Sequence, residues 1–282
     1  MRRLRYVVAD VFTDTPLAGN QLAVFTDARD LDPLTMQALA KEMAFSETVF
    51  VLPKQAEDAD VRIRIFTPAR ELPFAGHPVL GTAFVLGMPL QRIVIRLECG
   101  VGVVPVELER EGAEIRFGWM DQLVPEWEAF GAAGELTAAL GLPTPDLPVE
   151  STDFGPGFVY VEVPSVSTLS ALDPDSRALA RFTNGGVYCF AHDEGNGWRA
   201  RMFLPGAGIA EDPATGSAAG PFACYLVRHG RVELGEEIRI EQGVEIGRPS
   251  TLFARAEGSG GIETVRVGGS AVVVARGEFR IP

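Results

Sequence analysis

Two stretches of the chain alternate strictly between charged and apolar residues. From Arg62 the sequence reads R-I-R-I-F-T-P, and from Arg199 it reads R-A-R-M-F-L-P. A two-residue period of this kind predicts a strand with one buried face. Shorter alternations and apolar runs predict further strands over Tyr6–Phe12, Thr48–Leu52, Arg92–Leu97, Gly102–Leu108, Phe158–Val163, Gly186–Phe190, Glu237–Glu241, Thr251–Ala256 and Ala271–Arg276. Two segments break the period. VLGTAFVLGM after Pro78 and ATGSAAGPFACYLV after Pro213 are apolar on every side, as a helix enclosed by sheet should be. Proline suits the first helical position because its missing N–H is unpaired there anyway, so Pro78 and Pro213 mark the expected helix starts. Pro221 is placed to kink or end the second helix. Asp32 with Pro33 opens a surface helix through Met43, and Gly134–Leu140 predicts another. The resulting class is α+β.

The pattern is written twice. The two R-x-R-x-F-x-P strands are offset by 199 − 62 = 137 residues. Downstream of them stand FAGHPVLGTA, Phe74 to Ala83, and DPATGSA, Asp212 to Ala218. These share a skeleton of His or Asp, Pro, two residues, Gly, Thr or Ser, and Ala, at an offset of 212 − 77 = 135. A weaker echo links GNQLAVF from Gly19 with GPGFVYV from Gly155, at 155 − 19 = 136. Three segments in one order at nearly one offset predict two homologous halves, not a solenoid, whose periods are far shorter. The expected domains are 1–122 and 123–267, with a final strand over about 268–282 returning to the first. The Pro- and Glu-rich region Asp121–Val149 reads as their connection.

Composition narrows the function classes. Of the 282 residues, 46% are hydrophobic and 22% charged, as in a soluble globular protein. No apolar run reaches the roughly 18–20 residues that a membrane span needs. The opening MRRLRYVVADVF is interrupted by Asp10 and reads as a first strand instead of a signal peptide. A net charge of −13 argues against nucleic acid, whose phosphates demand a basic face. Cys99, Cys189 and Cys224 are odd in number and widely spaced, which fits a reduced cytoplasmic protein. Only Lys41 and Lys54 supply amines, and neither lies in a motif, so Schiff-base chemistry is disfavoured.

The candidate chemistry gathers at the two predicted helix starts. A helix N-terminus offers unpaired N–H groups and a positive partial charge, which suits an anion. Gly76, Gly81 and Gly216 allow backbone or ligand to approach closely. Asp212 reads equally well as an N-cap or as a ligand-facing carboxylate. His77 is a poor cap, and reads as a packed histidine or as a functional one. Ser217 and Thr82 fall one turn inside their helices, bonding back to a carbonyl or aiming a hydroxyl at ligand. Glu47, in AFSETVFV, falls where a helix ends and a strand begins. A carboxylate drawn into apolar surroundings can exchange protons near neutrality; the alternative is a solvated turn residue. Asn20 follows Gly19 at a turn, as turn chemistry or as a ligand-facing amide. The Gly206–Gly208 run lacks a dinucleotide fingerprint, there is no P-loop, and the three histidines have no metal-ligand spacing.

Together DVFTDTPLAGNQLAVF, FSETVFV, FTPARELPFAGHPVLGTA, EDPATGSAAGPFACYL and EQGVEIGRPS, in this order from Asp10 to Ser250, resemble the PhzF family of phenazine-biosynthesis-like isomerases. One departure is Gly19-Asn20-Gln21, where the family commonly has Gly-Asn-Pro. The resemblance implies the diaminopimelate-epimerase-like fold, with two pseudo-equivalent domains, each a barrel-like mixed sheet around a central apolar helix, and a site in the cleft between them. It implies cofactor-independent isomerisation of a small carboxylate such as trans-2,3-dihydro-3-hydroxyanthranilate, with no metal, in a cytoplasmic homodimer. Carried over by motif, Glu47 is the acid/base, His77 and Asp212 are catalytic or substrate-binding, and Asn20, Gly76, Gly216 and Ser217 bind substrate. None of the cysteines lies in FAGHPVLG or DPATGS, which disfavours the two-thiol racemisation of the related epimerases. An epimerase or racemase running on carboxylates, and a non-catalytic small-carboxylate-binding protein, stand as alternatives. Chiral analysis and solvent hydrogen exchange separate the three.

Overall fold

The computed structural model describes residues 2–152, 157–183, 185–205 and 210–281. The start of the weak echo at Gly155 and the Gly206–Gly208 run lie outside them. In chain order the elements are β1 (Arg2–Val11), β2 (Asn20–Phe25), α1 (Pro33–Met43), β3 (Glu47–Leu52), β4 (Val61–Phe66), β5 (Glu71–Leu72), α2 (Gly76–Leu90), β6 (Val94–Cys99), β7 (Gly102–Glu111) and β8 (Glu114–Gln122). There follow β9 (Trp127–Ala129), α3 (Ala133–Ala139), β10 (Glu150–Thr152), β11 (Phe158–Glu162), α4 (Val166–Ser170), α5 (Ser176–Leu179), β12 (Gly186–Asp193), β13 (Gly197–Phe203), β14 (Glu211–Asp212) and α6 (Gly216–Arg228). The chain closes with β15 (Ile238–Gln242), β16 (Ser250–Glu257), β17 (Thr264–Gly269) and β18 (Ala271–Ile281). It divides into two compact units, one of Met1–Asp121 with Gly268–Pro282, the other of Gln122–Val267.

The two units repeat one order of strand pairing. In the first, β1–β2 is antiparallel, β2–β3 parallel, β3–β4 and β4–β5 antiparallel, β4–β6 parallel and β6–β7 antiparallel. In the second, β10–β11 is antiparallel, β11–β12 parallel, β12–β13 and β13–β14 antiparallel, β13–β15 parallel and β15–β16 antiparallel. A mixed sheet of this kind needs a helical crossover for each parallel step. α1 and α2 supply them in the first unit; α4 with α5, and α6, supply them in the second. β18 pairs antiparallel along the whole of β1.

The apolar helices are the cores of these sheets. Every residue of α2 from Gly76 to Val85 is buried, and the helix packs on β1, β2, β3, β6, β7 and β18. Its approach to the sheet is close: a Cβ on Gly81 would stand 2.6 Å from Val11 Cγ2 and 2.7 Å from Leu22 Cδ2. α6 is buried from Gly216 to Leu226. Phe222 and Tyr225 on it meet the rings of Tyr160 and Phe190, and Phe222 also meets Tyr188 and Trp198.

The alternating arginines explain how each strand is tied to the turn before its helix. Arg64 grips Glu71 with two bonds of 2.6 Å, and its guanidinium lies 5.2 Å from the centre of the Phe66 ring. Arg201 grips Glu211 at 2.9 and 2.7 Å and lies 4.8 Å from the centre of Phe203. The second clamp is deeper, with side chains 8% and 7% exposed against 19% and 41%. Arg201 Nη1 also donates to the carbonyls of Leu169 and Leu172, at 3.1 and 2.7 Å.

Several expectations differ from the structure. Pro213 does not open α6, which starts at Gly216; β14 and a polar network described below keep Asp212–Thr215 out of the helix. Pro221 neither ends nor shortens α6, which continues to Arg228. Residues 122–149 are more than a connection: Leu136, Leu140, Leu142 and Val149 pack in one core with Val159, Val161 and Val187. β2, β5, β8, β9, β10, β14 and β17 lie outside the predicted strands.

Candidate active site

In the first unit a strained loop delivers Asn20. β1 and β2 pair as far as Val11 and Asn20, and the chain between them turns with positive φ at Phe12 (63°), Leu17 (69°) and Gly19 (69°). Gly19 is required: a Cβ there would run into the Val11 carbonyl and stand 2.5 Å from Thr13 Cγ2. Buried Asp10 accepts from the Leu17 N–H at 2.7 Å, tying down the loop. Asn20 then begins β2, and it does so although Gln21 stands where the family commonly has proline. Nearby, α1 ends on a left-handed Ala44 (φ 55°), which turns the chain toward Ser46 and Glu47. The parallel register of β2 and β3, Leu22 opposite Glu47, carries Glu47 to the same place. α2 adds His77 from its first turn.

These residues make contact. Ser46 Oγ donates to Asn20 Oδ1 at 3.0 Å. Asn20 Nδ2 lies 3.2 Å from His77 Nδ1. His77 Nε2 lies 3.5 Å from Glu47 Oε2 and makes no hydrogen bond. The His77 side chain is 5% exposed and that of Glu47 16%. Burial pushes the His77 pKa down to about 3, against an opposing contribution from the Gln21 backbone, so the ring is neutral at pH 7. Around it the N-terminus of α2 is uncapped: Ala75 offers no side-chain bond, and Pro78 has no N–H. The N–H groups of Gly76 and His77 therefore open this helix without an intrahelical acceptor. Thr82 is fully buried, with an Oγ1 that makes no hydrogen bond.

The second group, in the second unit, is built from Asp212, Thr215, Gly216, Ser217 and Gln242. Thr215 Oγ1 donates to Asp212 Oδ2 at 2.5 Å. Gln242 Nε2 donates to the Asp212 carbonyl at 2.8 Å and to Thr215 Oγ1 at 3.0 Å, while its Oε1 accepts from the Thr215 N–H at 3.3 Å. Asp212 is thus not the N-cap of α6; Thr215 occupies that position, and its hydroxyl bonds the carboxylate instead of the helix. Gly216 and Ser217 form the uncapped first turn, and Gln122 Nε2 donates to the Gly216 carbonyl at 2.9 Å. Gly243 (φ 79°) lets the chain after Gln242 pass the Pro213 backbone, which a Cβ would strike.

Sequence reasoning named Asn20, Glu47, His77, Asp212, Gly216 and Ser217 but gave no role to Ser46, Thr215 or Gln242. All three stand inside the quoted motifs, yet only tertiary contact reveals what they hold. Cys189 and Cys224 are buried, and burial pushes both thiols up to about 12; it raises Cys99 as well. Among the described residues no three His, Cys, Asp or Glu side chains converge as a metal site, and no helix is long and apolar enough to cross a membrane.

Comparison with known proteins agrees with this architecture. The family model for phenazine biosynthesis-like proteins matches residues 9–277. A trans-2,3-dihydro-3-hydroxyanthranilate isomerase of Pseudomonas aeruginosa is 50% identical over 274 residues, covering 97% of this chain and 98% of the relative. The crystal structure of a Bacillus anthracis phenazine biosynthesis protein of the PhzF family superposes with a TM-score of 0.85 at 27% identity, covering all of both chains. A probable proline racemase of Agrobacterium radiobacter shares the fold alone, with a TM-score of 0.70 at 10% identity over 99% of this chain and 93% of its own. The chain is an α+β protein of the diaminopimelate-epimerase-like fold and belongs to the PhzF family of phenazine biosynthesis-like isomerases.

Proposed function

We propose that this isomerase moves a proton on trans-2,3-dihydro-3-hydroxyanthranilate, or on a small cyclic carboxylate like it, with Glu47 as acid/base and no cofactor. The substrate follows from the full-length likeness to the Pseudomonas aeruginosa enzyme. The role of Glu47 rests on one observation: its carboxylate is partly exposed and stands 3.5 Å from a buried, neutral histidine. A carboxylate with some access to solvent and a neutral ring beside it is placed to exchange a proton with a bound substrate. In the reaction Glu47 takes a proton from one ring carbon and, as the acid, returns it to another. Nothing is gained or lost overall.

The remaining roles follow from chemical type. Asp212 is oriented by Thr215 to accept from the substrate's amino or hydroxyl group. Uncapped helix starts favour anions, so Ser217 with the Gly216 N–H in the second unit, and the Gly76 N–H in the first, are each suited to a carboxylate. The repeated pairing order supports descent of the two units from one duplicated half. Family resemblance supports a cytoplasmic homodimer, which light scattering of the purified protein reads directly.

Glu47→Gln in deuterated water tests the mechanism. We expect isomerisation to slow by about 100- to 10,000-fold, the range for loss of a general acid/base, and entry of solvent deuterium at the receiving carbon to slow with it. Isomerisation and exchange at the wild-type rate would show that another group moves the proton.

A further inference from the structure

We propose that Ser46 and Asn20 are positioning residues that set the tautomer of His77, leaving its single proton on Nε2 and aimed at the Glu47 carboxylate. The tautomer stands on local geometry; its catalytic meaning rests on the role given to Glu47 above.

Three contacts set the tautomer. Ser46 Oγ donates to Asn20 Oδ1 at 3.0 Å, which holds the carbonyl end of the amide toward the serine. The other end is then the amide nitrogen, which can only donate, and it stands 3.2 Å from His77 Nδ1. Nδ1 must accept. A neutral imidazole that accepts at Nδ1 carries its hydrogen on Nε2. That nitrogen is buried, makes no hydrogen bond, and has Glu47 Oε2 as its ionisable neighbour at 3.5 Å.

The opposite tautomer is penalised at both ends. It would set an N–H of His77 against an N–H of Asn20, unless the amide turned over and gave up the Ser46 bond as arranged. It would also oppose the lone pair of Nε2 to an ionised carboxylate. The Gln21 backbone lies against the ring and favours added protonation, and so is the competing influence. Burial outweighs it and keeps the ring at one proton.

In this arrangement Asn20 is occupied at both ends of its amide by protein groups and acts through His77. The Nε2–H can donate to Glu47 while Glu47 is ionised. It can turn to a substrate oxygen once Glu47 has taken up a proton. The ring keeps its own proton throughout.

The test reads the tautomer directly. Histidine labelled with 15N in the full-length protein gives three imidazole spin systems, since the chain has three histidines. His192→Gln and His229→Gln assign them. At pH 7 we expect a pyridine-type shift at Nδ1 of His77 and a pyrrole-type shift at Nε2. The reverse pattern, or a fast-exchange average, overturns the proposal. Asn20→Asp replaces the donor with an acceptor and should invert the pattern, lowering kcat by about 100-fold or more with a much smaller change in KM. Ser46→Ala should give mixed shifts and Ser46→Thr should restore the wild-type ones; no difference between the two removes Ser46 from the relay. Should Asn20→Asp fail to fold, the wild-type spectrum still decides. A wrong tautomer in a protein where Glu47→Gln is inactive refutes only this inference. The expected tautomer in a protein where Glu47→Gln is active refutes only the role of Glu47.

Discussion

In FAGHPVLGTA the helix begins before the histidine; in EDPATGSA it begins after the aspartate. At the first helix start there is little polar to catch the chain. Ala75 is extended, the backbone turns helical at once, and the His77 ring reaches sideways to Asn20. At the second, Gln242 bonds the backbone of Asp212 and of Thr215, and Thr215 gives its hydroxyl to Asp212. Those bonds compete with helical ones and delay α6 to Gly216. A shared phrase therefore does not mean a shared structure. The first start presents a neutral ring beside a carboxylate, and the second presents a carboxylate already held by a hydroxyl.

The sharpest way to separate the two regions is through their arginine clamps. Glu211→Gln strands Arg201 in a buried setting and should cost about 3–5 kcal/mol. The same change at the more exposed Glu71 should cost about 1 kcal/mol or less. Urea denaturation measures both, and equal losses would mean that burial does not distinguish the clamps.

Acid probes the buried histidine of the first region. Burial lowers the His77 pKa from 6.5 to about 3, so the folded state binds fewer protons than the unfolded one between those values. This contribution to stability is complete above pH 6.5 and is lost as pH falls toward 3, by an amount of order a few kcal/mol. His77→Gln should flatten the fall in denaturation midpoint across that window. A variant as acid-sensitive as wild type would assign the effect elsewhere.

A more modest effect is expected at the second helix start. Thr215→Val removes the bond to the Asp212 carboxylate and the one accepted from Gln242; loss of the charged bond alone, about 1.5 kcal/mol, should raise KM roughly tenfold with kcat little changed. Thr215→Ser should restore it. Steady-state kinetics of the pair decide whether the hydroxyl or the side-chain shape orients Asp212.

What could be read from the chain was local. α1 runs from Pro33 to Met43 as its signals imply, because Asp32 accepts from the Leu34 and Thr35 N–H groups and Pro33 fills the first position. The alternation of β4 and β13 and the all-round apolarity of α2 and α6 likewise follow from their own residues. The start of α6 was hidden because Gln242, 27 residues beyond Thr215, decides it. The meeting of Asn20, Glu47 and His77 was hidden in the same way. Glu47 arrives by a parallel strand register, His77 by a crossover helix, and Asn20 by a loop with three positive φ angles. The stretch 122–149 misled because its prolines and acids look like linker, while its leucines fill a core.

The close seating of Gly81 gives the first region a mechanical character. Val11 and Leu22, which the α2 backbone nearly touches there, stand on either flank of the loop that carries Asn20. Helix and loop are thus keyed together like two faces of a bearing with no clearance. A side chain at position 81 would therefore press on both flanks of that loop at once. Glu47 joins the same block from β3, where it stands opposite Leu22 in the parallel register.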